Sequence, residues 1–85
     1  MAEEYLEYIY DVENIKYIGT GLLEIIIASA KMGSEDSVSR NKSRNYLAQN
    51  LYNRGFAKRG YGGKSNFNQF IDKCSMEYEK RKREG

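Results

Sequence analysis

The supply of large apolar side chains is the feature that most limits what this chain can fold into. Leucine, isoleucine, valine and phenylalanine together account for 17 of 85 residues, which is near the lower bound for a globular domain. Eight tyrosines add to this supply, because a tyrosine ring packs in a core while its hydroxyl stays hydrated. We therefore expect one small core in a single domain over residues 1–85. Tyrosine is also enriched at interfaces, so the composition is compatible with a homodimer.

Hydrophobic periodicity predicts an all-α fold, a small bundle of about four helices. The predicted helices cover residues 2–16, 21–32, 35–54 and 66–83. On the first, tyrosine and isoleucine side chains share one face, and Glu3, Glu4, Glu7 and Asp11 lie on the opposite one. The second is apolar nearly all round and ends at Gly33, so we expect it to be buried. Residues 55–65 contain four glycines and are predicted to form a loop, or a short hairpin or wing before the last helix.

Charge is distributed unevenly along the chain. Residues 1–36 contain eight acids and two cations, for a net charge of −6, whereas residues 37–85 contain twelve cations and four acids, for a net charge of +8. Within residues 40–65 there are seven cations and no acid. Two interpretations remain open: the basic part binds a polyanion, or the acidic third of the chain neutralises it internally.

Residues 40–65 also interleave their cations with amides and aromatic rings. Lysine and arginine neutralise phosphates, while amides and rings engage bases. This combination predicts a surface for nucleic acid or for a protein that handles nucleic acid. The candidate binding residues are Arg40, Lys42, Arg44, Tyr46, Gln49, Asn50, Asn53, Arg54, Lys58, Arg59, Tyr61 and Lys64.

The segment IIIASAKMGSEDSVSR resembles a helix-turn-helix. Ala28 and Val38 stand ten residues apart, as the small and apolar anchors of that family do, and a glycine lies between them. Further on, GFAKRGYGGKSNF resembles the wing of winged-helix regulators, so the resemblance covers residues 25–64. It implies that the cations near the start of the third helix reach phosphates or guanines, and that Asn41 and Asn45 meet adenine edges.

The residue inventory argues against catalysis. The chain has no histidine and one cysteine, Cys74, which removes the usual general base, the commonest zinc ligand and any intrachain disulfide. Gly63, Lys64 and Ser65 resemble the end of a phosphate-binding P-loop, but the glycine that the motif needs five residues earlier is Lys58. We therefore predict no enzyme activity, no metal site and no cofactor.

The longest apolar run, residues 22–30, is interrupted by Glu24 and is too short to span a bilayer. The acidic N-terminus does not resemble a secretory signal, so a cytoplasmic protein is expected. The leading hypothesis is a small DNA- or RNA-binding protein, with DNA favoured over RNA. The alternative is a phage-type inhibitor or adaptor, similar to anti-CRISPR proteins, that binds a nucleic-acid-handling protein.

Overall fold

The computed structural model describes residues 3–32 and 36–85. In its N-terminal part, a 3-10 helix at Glu4–Glu7 leads into strand β1 at Tyr8–Tyr10, and a second 3-10 helix covers Ile15–Tyr17. The α-helix expected over residues 2–16 is therefore wrong. The described chain is mostly helical, but it has three α-helices and a two-stranded antiparallel sheet, not four helices.

Three α-helices follow close to their expected positions: α1 at Thr20–Ala30, α2 at Ser37–Asn53 and α3 at Gly63–Glu84. Helix α2 begins after Asp36, whose carboxylate accepts a hydrogen bond of 2.9 Å from the backbone N–H of Ser39. That bond lowers the pKa of Asp36 below its ordinary value. The expected stop at Gly33 lies outside the described residues.

The second strand, β2 at Ala57–Arg59, lies inside the glycine-rich segment that was expected to form a loop or a local hairpin. It pairs instead with β1 in antiparallel register, Tyr8 opposite Arg59 and Tyr10 opposite Ala57. A bond of 3.0 Å from the N–H of Asp11 to the carbonyl of Phe56 extends the pairing. The wing-like hairpin is therefore absent from residues 55–65, because their strand has its partner near the N-terminus.

Aromatic rings form the centre of the core, as the scarcity of aliphatic residues predicts. The ring of Tyr10 packs 5.4 Å from Phe67 and 5.2 Å from Phe70, and Tyr5 packs 4.9 Å from Phe67, measured between centroids. Buried Tyr10 donates its hydroxyl to the carbonyl of Tyr5 at 2.5 Å, which satisfies its polar end. Burial raises the pKa of Tyr10 well above its ordinary value.

One side chain joins β1 to the start of α3. The Asn66 side-chain oxygen accepts a bond of 2.7 Å from the N–H of Tyr10, and its amide nitrogen donates to the carbonyl of Tyr10 at 3.2 Å. Asn66 thus satisfies both backbone groups of Tyr10 that point away from β2, in the way a third strand would.

Substitution of Asn66 tests this role. We expect Asn66→Ala to lower the free energy of unfolding by about 1–3 kcal/mol, because it leaves the N–H and carbonyl of Tyr10 without partners. The matched control is Asn68→Ala, the same chemical change at an exposed position of the same helix. Urea denaturation monitored by circular dichroism measures both. Equal stability of the two variants would contradict the role assigned to Asn66.

Because Cys74 is buried, we expect the stability of the fold to depend on pH in the alkaline range. Burial raises the pKa of its thiol from 9.0 to about 12, with a smaller contribution from the negative charge of Glu77. Above pH 9 the unfolded chain releases the thiol proton while the folded chain keeps it, so the free energy of unfolding falls as pH rises from about 9 to about 12. In Cys74→Ala this decline should be shallower, which denaturation curves at several pH values measure. A parallel decline in both proteins would show that the thiol contributes nothing.

Candidate nucleic-acid interface

The exposed face of α2 carries four candidate residues: Lys42, Tyr46, Gln49 and Asn53. The spacing of these positions places them on one side of a helix. Tyr46 leaves 73% of its surface exposed, which is unusual for an aromatic ring in a chain with few apolar residues. The opposite side of α2 is buried in the core through Leu47, Ala48 and Leu51. One face of α2 is therefore open to a ligand.

Arg59 lies beside this face and is held by two aromatic rings. Its guanidinium carbon lies 5.1 Å from the ring centroid of Tyr8 and 5.5 Å from that of Tyr52. The two rings pack edge to face, 5.7 Å apart, so they provide a common surface for the guanidinium. Such cation–π contact orients the planar group while its N–H donors stay in water.

The segment between β2 and α3 lies close against β1. A Cβ atom at Gly62 would stand 2.5 Å from the carbonyl oxygen of Tyr8. Any residue other than glycine would therefore clash with the backbone of β1 at this position. Tyr61, which is 83% exposed, and exposed Lys64 flank this close approach. Tyr61 and Lys64 are therefore exposed where the chain passes from β2 to the start of α3.

Lys58 does not share that surface. Successive side chains of a strand point to opposite faces, so Lys58 lies with its partner Ile9 on the face away from Arg59. There it borders a groove of about 430 Å³ that also contains Asp11 and Glu13. The positive charge of Lys58 contributes to the lowered pKa of Asp11, although the hydrogen bond from Asn14 is the larger cause. The expectation that the cations of residues 40–65 form one basic face is therefore wrong at Lys58.

Arg44 is engaged inside the molecule. Its guanidinium donates to the Tyr5 hydroxyl at 3.2 Å and to the carbonyl of Ala30 at 3.4 Å, and it stacks over the rings of Tyr5 and Phe67. Arg44 is therefore a structural residue, and its predicted role in binding is not supported by its position. The sequence contains a signal for this, because Arg44 precedes Leu47, Ala48 and Leu51 at helical spacings of three, four and seven.

The other candidates differ in exposure. Arg54 is exposed at the end of α2, whereas Asn50 is half-buried. Arg40 is half-buried and already has an interaction partner. Asn45, expected to meet an adenine edge, instead accepts a hydrogen bond of 2.7 Å from the N–H of Tyr5. Tyr8 and Tyr52 were missed as contributors to the site, because the pairing that brings Tyr8 beneath Arg59 joins distant parts of the sequence.

The anchor residues of the helix-turn-helix resemblance are not buried in this fold. Ala28 is exposed on α1, and Val38 is 64% exposed at the start of α2. In that family the two positions are buried between the helices. The local sequence pattern therefore corresponds to a different packing of α1 and α2 in this chain.

The exposed cations of the interface are not neutralised by direct ion pairs. Within residues 3–32 and 36–85, no carboxylate lies within 4 Å of Lys42, Arg54, Arg59 or Lys64, whereas Glu77 and Arg81 on α3 form a pair of 2.8 Å. Direct pairing between the acidic third of the chain and these four cations is thus not observed among the described residues. Their charges remain open to an external anion.

In the part of the chain that the structure describes, no three His, Cys, Asp or Glu side chains lie together in a way that could hold a metal ion. None of the described helices combines the length and apolar character needed to cross a bilayer. Compared with protein-family models, curated proteins and solved structures, the chain shows no match.

Because Arg44 has a structural role, we expect lysine substitution to lower stability at Arg44 and not at an exposed arginine of the same segment. We expect Arg44→Lys to lower the free energy of unfolding by about 1–3 kcal/mol, because an ammonium cannot reproduce the stacked, forked contacts of the guanidinium. Arg54→Lys, the same change at an exposed position, should leave stability within about 0.5 kcal/mol of the parent. Chemical denaturation of both variants measures this difference. Loss of stability in Arg54→Lys, with Arg44→Lys unchanged, would reverse the assignment.

Proposed function

We propose that this protein binds nucleic acid and acts stoichiometrically, without catalysing a reaction. The interface comprises the exposed face of α2 (Lys42, Tyr46, Gln49 and Asn53) together with Arg59, Tyr61 and Lys64. We refer to these seven residues as the α2–β2 surface. Arg44 and Lys58 are excluded from it because of where their side chains lie.

The position of Arg59 is the observation that carries the proposal. An exposed arginine ordinarily samples many rotamers, and ordering it on binding costs conformational entropy. Stacking on Tyr8 and Tyr52 restrains the guanidinium before a ligand arrives. Among the described residues no carboxylate lies within 4 Å of it. A restrained guanidinium with free donors is suited to a phosphate, which it can bind in bidentate geometry.

The rest of the α2–β2 surface supplies the chemistry that bases require. Tyr46 and Tyr61 are 73% and 83% exposed, and such rings stack on unpaired or splayed bases. Gln49 and Asn53 present amide donors and acceptors of the kind that meet base edges. Exposed Lys42 and Lys64 add positive charges that phosphates require. The helix-turn-helix resemblance predicts DNA over RNA, but its anchors are exposed in this fold, so the test includes both.

Binding should depend steeply on salt. We expect fluorescence anisotropy with labelled DNA and RNA oligonucleotides to show binding at low salt, with affinity falling as salt rises because phosphate contacts release counterions. Arg59→Gln and Lys64→Ala should each reduce the slope of log K against log salt by about 1. Lys80→Ala, an exposed cation near the other end of α3, should leave the slope unchanged. Absence of binding to every oligonucleotide at low salt would overturn the proposal.

A protein partner is the second candidate. Val38 supports it, because this residue continues the exposed face of α2 and its 64% exposed apolar side chain has little use beside a phosphate backbone. The protein would then act as a phage-type inhibitor or adaptor, similar to anti-CRISPR proteins, that binds a nucleic-acid-handling protein. A pull-down from nuclease-treated host lysate separates the candidates. Retention of one protein by the parent and its loss with Val38→Asp favours the second, whereas loss of all bound material on nuclease treatment favours direct binding to nucleic acid.

A further inference from the structure

Helix α1 presents an apolar face that nothing in the described chain covers. The sequence predicts a helix buried all round, yet Ile25 is 56% exposed and Ala28 and Gly21 are exposed beside it. A Cβ atom at Gly21 would meet no atom within 4 Å, so no close contact within the described chain requires glycine there. The buried face of α1 uses Leu23 and Ile26 instead.

The exposed positions have the spacing of a coiled-coil seam. Gly21, Ile25 and Ala28 are exposed and follow one another at intervals of four and three residues, and half-buried Met32, two residues past the end of α1, continues the spacing by four. This is the a/d pattern by which one helix packs against another. Backbone hydrogen bonding continues past the last helical residue to Lys31, whose N–H donates to the carbonyl of Ile27 at 3.1 Å, so the seam extends to the end of α1. We call these four residues the α1 seam.

Two charges flank the α1 seam in a self-complementary way. Glu24 and Lys31 are both exposed and lie seven residues apart on the same side of the seam. In an antiparallel pair of identical helices, residues on the same flank meet across the two-fold axis. An axis passing between Ile27 and Ala28 places Glu24 of one copy opposite Lys31 of the other. In the same register Ile25 of each copy packs against Ala28 of the other, and Gly21 lies opposite Met32.

We propose that the α1 seam is the interface of an antiparallel homodimer. The small side chains of Gly21 and Ala28 let the two helices approach closely, and Ile25 and Met32 supply the apolar contact. Glu24 accepts a hydrogen bond of 3.0 Å from the Tyr78 hydroxyl through one oxygen, and its second oxygen faces Lys31 of the other copy. A parallel pair would not bring Glu24 and Lys31 together on one flank, so the charges select the antiparallel arrangement.

The short seam makes the dimer a weak one. The helical part of the seam, ten residues from Gly21 to Ala30, spans about 15 Å, which supports an interface at the small end of the range for specific association. Self-association is therefore expected to be concentration-dependent. Sedimentation equilibrium from about 1 μM to about 1 mM covers the relevant range of affinity.

Substitutions at matched positions test the seam. Ile25→Asp should raise the dimer dissociation constant about tenfold or more, because it places two unpaired carboxylates at the interface. Val38→Asp introduces the same charge at an exposed apolar residue outside the seam and should leave the constant unchanged. A monomer mass for the parent at every concentration, or equal effects of the two substitutions, would overturn the proposal.

Charge exchange tests the register. Glu24→Lys and Lys31→Glu should each weaken the dimer by placing like charges on one flank, and the double variant should restore it. Because Glu24→Lys also removes the bond from Tyr78, Tyr78→Phe controls for that loss and should leave the dimer intact. Failure of the double variant to recover dimerisation would refute the antiparallel register.

Cross-linking provides a second readout that does not depend on affinity. Ala28→Cys should form a covalent dimer on mild oxidation, because in this register the two Ala28 positions lie in adjacent layers of the seam, next to the two-fold axis. Met76→Cys, a change at a residue on α3 that is 69% exposed, reports random collision and should cross-link far less. The native Cys74 is buried and its thiol has a raised pKa, so it contributes little background. Equal cross-linking at the two positions would contradict the proposed interface.

Discussion

The pairing of β1 with β2 is the contact on which the rest of this structure depends. It joins Tyr8, near the N-terminus, to Arg59, more than half the chain away, and thereby closes a loop that contains α1 and α2. Closing so long a loop costs chain entropy, which the pairing alone, at three residue pairs, does not offset. The rings of Tyr5, Tyr8 and Tyr10, buried against α2 and α3, supply the additional stabilisation.

The structure uses two arginines of one basic segment in opposite ways. Arg44 and Arg59 both stack on a pair of aromatic rings, at distances between 5.1 and 5.6 Å. The guanidinium of Arg44 also donates to Tyr5 and to the last turn of α1, and its Nε is buried without a hydrogen-bond partner among the described atoms. Arg59 is exposed at the surface. Arginine at similar distances from two rings is thus a structural residue at position 44 and a candidate ligand contact at position 59, because Arg44 is half-buried and Arg59 is exposed.

The proposed nucleic-acid interface and the proposed dimer interface use different helices. The α2–β2 surface lies on α2, β2 and the segment before α3, whereas the α1 seam lies on the exposed side of α1. Dimerisation through α1 would therefore leave both copies of the α2–β2 surface available. Two linked binding surfaces raise the effective concentration of the second contact once the first has formed, so a weak dimer would strengthen binding to a long polyanion and matter little for a short one.

The sequence by itself determined the three α-helices and the tyrosine-rich core, because each depends on local periodicity or composition. It did not determine the N-terminal segment, where Tyr8, Ile9 and Tyr10 satisfy a helical pattern and a strand pattern equally. Only the tertiary structure decided for the strand, since the partner that satisfies its backbone lies at residues 57–59. The same non-local pairing decided which cations face outward. Burial of a side chain depends on what packs against it, so Arg44, Lys58 and Arg59 look alike in the sequence and occupy three different environments in the fold.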